Sequence, residues 1–181
     1  MQSLFVQVII ARVMAPTWAL ENLQAKMLYG FKDPLLLEKA MVAGDSNSDD
    51  REGHRGMAQL GDSLMGTVIL SDGLERGFPR SRSSMCPVNV ADSCAVEKQQ
   101  DTCSEVRSKE FCGRIARVLR LHEWIKLSDR QVHIGIQPTT LKKTVAALVG
   151  AVWLDSHDYK TVLRVMDAIG YVGWYRLRTI Y

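Results

Sequence analysis

The chain has 181 residues, with 23 Lys and Arg against 20 Asp and Glu, a formal net charge of +3 and 46% hydrophobic residues. That length fits one domain with a real core, and the composition places it among globular chains rather than disordered or fibrous ones. The mild positive charge permits an anionic partner without demanding one, and it is far below that of many RNA-binding proteins.

The opening "MQSLFVQVIIARVM" is apolar but too short to cross a bilayer, and it lacks the basic start of a signal peptide. Arg12 is its only basic residue and no acid precedes Glu21, a faint presequence character, but a buried strand or helix is the expectation. No other segment has the length and apolarity to span a membrane, so an intracellular chain without a membrane partner is expected, its compartment open. In "TWALENLQAKMLYG", Thr17 is placed to cap and Gly30 to stop a helix. In "DPLLLEKAMVAG", Asp33 reads as N-cap, Pro34 as the first helical residue and Gly44 as lying past the end. The polar "GDSNSDDREG" reads as a turn-rich segment.

A long helix follows, from about His54 to about Gly73, with Met57, Leu60, Leu64 and Val68 on one face. It carries Gly61, costly in a helix interior, and Asp62, an acid on a largely apolar helix that needs a partner. Residues 77–104 show no clean periodicity and read as an insertion or loop with some short structure. This stretch holds Cys86, Cys94 and Cys103; with Cys112 they form no CxxC pair, so free thiols in a reducing cell are expected rather than zinc or disulfides.

"EVRSKEFCGRIARVLRLHEWI" reads as amphipathic, with Val106, Ile115, Val118 and Leu119 inward. Arg114, Arg117 and Arg120 form an outer basic stripe, either a solvated face or a contact for RNA. "HIGIQPTT" reads as a loop, Thr140 as the cap of "LKKTVAALVGAVWLD", and "DYKTVLRVMDAIG" as a last helix. Asp155 and Asp158 are read as helix-end acids. Trp124, Trp153 and Trp174 are read as core or interface. The four histidines sit beside no nucleophile motif and receive no catalytic role. No repeats appear and strands are scarce, so the class is all-α.

Four stretches, in order, resemble the ribonuclease III family. "FKDPLLLEKAM" looks like its opening helix. "HRGMAQLGDSLMG" looks like its signature helix, usually written NERLEFLGDSVL. "VRSKEFCGRIARVLRLHEWI" resembles the helix usually written VSNETLARVARELGLGEYL, and "LKKTVAALVGAVWLD" the later helix usually written ADTFEALIGAIYLD. The resemblance covers about residues 28–170, leaving 1–27 as a segment of uncertain role and 171–181 as a tail. Similar divergent, single-domain forms occur among fungal members.

The resemblance implies a helical dimer that cuts double-stranded RNA with magnesium held by four carboxylates. Residue by residue, the signature acids fall on Ala58 and on Asp62, which is kept. The later acids fall on Lys143 and Ala146, and an earlier signature glutamate falls on Arg55. No shift of register restores a pair, because no Asp or Glu lies between Glu52 and Asp62 or between Asp129 and Asp155. Asp62 and Lys143 sum formally to zero, so no cofactor is expected and Lys143 is expected to pair with Asp62.

The reading is therefore a ribonuclease III-fold protein without catalysis. It would bind structured or double-stranded RNA, or serve as a structural or partner subunit in a homodimer or heterodimer. Any RNA affinity would come from this domain itself. The alternatives are an active magnesium-dependent endoribonuclease drawing ligands from Asp49, Asp50 and Glu52, and a structural protein of the mitochondrial ribosome.

Overall fold

The computed structural model describes residues 17–44, 52–76, 100–127, 129–171 and 173. In chain order these form α1 (Thr17–Met27), α2 (Pro34–Ala40), α3 (Arg55–Arg76), α4 (Lys109–Val118), a 3-10 turn (Leu121–Glu123), α5 (Asp129–Ile134), α6 (Pro138–Ser156) and α7 (Tyr159–Ala168). Residues 100–106 are helical as well. No strand occurs among the described residues; an isolated parallel bridge joins Val42 to Lys126. The all-α expectation holds. None of the helices is long and apolar enough to cross a membrane, among the described residues.

The core is built around α6, in which every residue from Thr144 to Val152 is buried. A helix apolar on all sides needs neighbours on all sides, and α2, α3, α4 and α7 supply them. The α3–α6 crossing is the tightest contact. A Cβ added at Gly61 would stand 1.8 Å from the Ala146 carbonyl oxygen, and one at Gly150 would stand 2.2 Å from that of Met57. The two backbones touch, so a residue larger than glycine cannot occupy either position without moving a helix.

Several local expectations hold. Asp33 caps α2, accepting from the Leu35 N–H at 3.0 Å with Pro34 in the first turn, and Asp158 caps α7, accepting from Lys160 and Thr161. Others need correction. α1 stops at Leu28, which adopts a left-handed conformation (φ 50°), before Gly30 is reached. The cap of α6 is Gln137 with Pro138 following, because Pro fits the first turn; Thr140 lies one turn inside and is buried. His133 and Ile134 close the short helix α5 rather than lying in a loop.

Val118 is 69% exposed instead of inward, because the buried face of α4 runs through Phe111, Cys112, Ile115, Ala116 and Leu119 and leaves Val118 beside it; the helix read as continuous breaks at Arg107–Ser108 and restarts with Ser108 as N-cap. The buried face of α3 runs through Met57, Ala58, Gly61, Met65, Val68 and Ile69, turned toward the small residues of α6; Leu60 and Leu64 are only half-buried. Residues 100–104 of the expected irregular stretch are helical and bury Cys103, while 77–99 lie outside the described residues. So do Cys86, Cys94, Asp49, Asp50 and Trp174. At the two ends of the described chain, α1 contributes Ala19, Leu23 and Met27 to the buried interior, and Tyr171 is buried against Phe111.

Candidate functional site

The tight α3–α6 crossing opens on one side into a cleft of about 440 Å³, lined by Arg55, Ala58, Gln59, Asp62, Lys109, Thr139, Lys142, Lys143 and Ala146. Its floor is dictated by helical spacing. Ala58 and Asp62 are four apart on α3, and Lys143 and Ala146 three apart on α6, so each pair shares a face. The first turn of α4 contributes Lys109, and the first turn of α6 contributes Thr139. All five positions carried over by resemblance, Arg55, Ala58, Asp62, Lys143 and Ala146, thus converge on one cleft.

Asp62 is half-buried and carries two cations. Arg107 donates to its Oδ2, and Lys142 Nζ lies 3.4 Å from Oδ1. The expected pairing with Lys143 is corrected. Adjacent helical residues diverge by about 100° around the axis, and it is Lys142 that turns toward the carboxylate, while Lys143 is exposed at the cleft. Arg107 reaches Asp62 from the break before α4. Gly66, one turn beyond Asp62, lies beside that approach: a Cβ there would stand 3.3 Å from the Arg107 guanidinium. Desolvation works against ionisation of Asp62, but the Arg107 hydrogen bond and the Lys142 charge outweigh it and hold the carboxyl below its ordinary pKa.

His54, given no role by the sequence, is buried just before α3, its Nδ1 2.6 Å from the Val42 carbonyl oxygen. Burial lowers its pKa; the Val42 bond opposes this, and the nearby charges of Lys143 and Arg55 add to the lowering. The ring is neutral at pH 7, with Nδ1–H donating to Val42. Cys103 and Cys112 are free, and burial raises both thiols.

The arginine stripe is shorter than periodicity implies. Arg114 and Arg117 are exposed on α4, Arg114 over the Phe111 ring and Arg117 bonded to the Gly113 carbonyl oxygen at 3.1 Å. Arg120 has left the helix, with φ 59°, and pairs with Glu123 at 2.8 Å. None of the three lines the cleft. Trp124 and Trp153 are half-buried, Trp124 edge-on to Trp18. Asp155 does more than end a helix: it accepts from the Tyr29 hydroxyl at 2.5 Å and from the Lys32 and Asp33 N–H groups at 2.9 Å.

Sequence reasoning missed Arg107, Lys109 and Lys142. The one available signal was Ser108, an N-cap residue inside a stretch that reads as a continuous amphipathic helix.

Among solved structures, two share this fold. Both are nuclease domains of ribonuclease III from Campylobacter jejuni. One superposes with a TM-score of 0.67 at 18% identity, covering 86% of this chain and 95% of that one. The other, described for structural flexibility in a region involved in dimer formation, gives 0.61 at 17% identity, covering 82% and 94%. The fold is that of a ribonuclease III nuclease domain. No family model matches the sequence.

A ribonuclease III fold raises the question of a divalent metal, and the donor set of this cleft does not fit one. Magnesium takes hard oxygen ligands, usually carboxylates. Asp62 is the one acid lining the cleft, and both its oxygens face cations. Ala58 and Ala146 offer no side-chain donor, and Lys109, Lys142 and Lys143 would repel the ion. No cluster of three or more His, Cys, Asp or Glu suited to a metal occurs among the described residues. Glu52 is exposed and does not line the cleft.

Proposed function

We propose that this protein binds structured or double-stranded RNA without cleaving it. The observation that carries the reading is the charge of the cleft: one carboxylate, doubly paired, surrounded by Arg55, Lys109, Lys142 and Lys143. Double-stranded RNA is read largely through phosphates and 2′-hydroxyls, so binding does not need the acids that hold a metal. Replacing anions by cations removes repulsion from phosphate and adds attraction. No magnesium takes part in this reading. The protein acts as a dimer, a reading supported by the Campylobacter nuclease domain with its region involved in dimer formation. Leu70 and Leu74 support it too, lying one turn apart on α3 with Leu74 72% exposed.

The test is incubation of the protein with long double-stranded RNA in magnesium or manganese, alongside Asp62→Asn. A mobility shift with intact RNA is expected, together with a dimer by light scattering. Cutting that Asp62→Asn abolishes would overturn the reading in favour of an endoribonuclease. Neither a shift nor cutting would leave a protein partner, as in a ribosomal subunit, as the role of the fold.

A further inference from the structure

The cleft divides its cations between two tasks. Arg107 and Lys142 face Asp62 and neutralise it. Arg55 has contacts of its own. Lys109 and Lys143 are both exposed, both line the cleft, and neither has a carboxylate within ion-pair distance among the described residues. They come from different helices, and the Thr139 side chain lines the same space. Two ammonium groups with no carboxylate in ion-pair range among the described residues, at one concave site, favour an anion with several acceptor oxygens. A volume of about 440 Å³ lies in the range of sites that enclose a nucleotide-sized ligand, not a lone halide. Ala58 and Ala146 line the same cleft and bring no side-chain group that competes for a phosphate oxygen.

We infer that the cleft is a metal-independent site for a nucleotide phosphate ester. Lys109 and Lys143 hold the non-bridging oxygens, the Thr139 hydroxyl serves as a neutral donor, and Asp62 is kept off the anion by Arg107 and Lys142. The protein's own ammonium groups supply the positive charge that a divalent ion would otherwise bring to phosphate. The inference rests on the RNA-binding reading for its preferred source, a phosphate within an RNA strand. A free nucleotide shares the chemistry.

The test is fluorescence anisotropy with a labelled short duplex RNA, in magnesium and again in EDTA, across a salt series. The proteins are wild type, the Lys109→Ala/Lys143→Ala pair and, as a control, Arg114→Ala/Arg117→Ala, each checked for folding by thermal melting. The expected result is equal affinity with and without divalent metal, within about twofold. The lysine pair should weaken binding about tenfold and lower the salt slope by about one. The arginine control should change little, and AMP and inorganic phosphate should compete weakly.

Loss of binding in EDTA would overturn the inference. So would RNA binding that survives the lysine pair, and if the arginine control abolished it, RNA binding itself would stand on another surface. If wild type binds no RNA, the RNA-binding reading falls by itself. Titration with AMP then decides the cleft: binding that requires Lys109 and Lys143 upholds a phosphate-ester site for free nucleotides, and no binding overturns it.

Discussion

Gly61 and Asp62 are neighbours on α3 that obey different physics. Gly61 faces the α6 backbone, where a single methyl group would overlap a carbonyl oxygen. Asp62 faces the cleft, where side chains from α4 and α6 and from the break before α4 meet solvent. At the first position the constraint is steric, set by close-packed backbone, and no neighbour has freedom to move. At the second it is electrostatic: Asp62 needs cations within reach, which Arg107 and Lys142 supply from two different elements. The contrast separates a position fixed by the helix crossing from one fixed by the charges around it.

Breaking the steric half should cost most. Gly61→Ala forces the helices apart, and a loss of about 3 kcal/mol, the top of the overpacking range, is expected from urea unfolding. A loss under about 0.5 kcal/mol would show that the crossing tolerates bulk and that the contrast is false. On the electrostatic half, Arg107→Met should cost about 1 kcal/mol, since the pair is partly solvated. In a double-mutant cycle the cost should largely vanish in the Asp62→Asn background. Lys143→Met should stay within about 0.5 kcal/mol in either background, because Lys143 does not touch Asp62. A cost equal to that of Arg107→Met would restore Lys143 as the partner.

The pH dependence sharpens the comparison further. His54 has a folded pKa below its unfolded value of about 6.5. The unfolded chain therefore binds more protons once the pH drops below about 6.5, and the stability from burying the neutral ring is lost as the pH falls through the folded pKa. Melting temperature should decline as the pH falls below about 6.5 in wild type and less in His54→Gln. Equal declines would remove His54 as the cause. A small effect is also expected for Gly66→Ala. Its methyl group would crowd the flexible end of Arg107 rather than backbone, and alanine gains helix propensity, so the two oppose each other and urea unfolding should show a change below about 1 kcal/mol.

Helix identity was legible from periodicity and caps: Asp33, Pro34 and Asp158 act as such residue types ordinarily do. The place of the cleft was legible through the resemblance, which picked out Asp62, Ala58, Lys143 and Ala146; helical spacing adds only that each pair shares a face of its own helix. The ionic partners of Asp62 were not. Which of two consecutive lysines turns toward a carboxylate depends on the rotation of α6 against α3, and that rotation is set by Gly61 and Gly150 touching the opposite backbone. Arg107 was hidden for a different reason. It stands where a helix breaks, and amphipathic periodicity runs through the break without registering it. Leu28 shows a third kind of failure: a left-handed residue without a glycine leaves no mark in composition.

The triple acceptance by Asp155 has a dynamic consequence. Its donors, Tyr29, Lys32 and Asp33, precede it by more than a hundred residues, so the turn between α1 and α2 is secured by the far end of α6. The turn therefore holds its shape only while the end of α6 is seated, and deuterium uptake at the Lys32 and Asp33 amides should report the seating of that helix end.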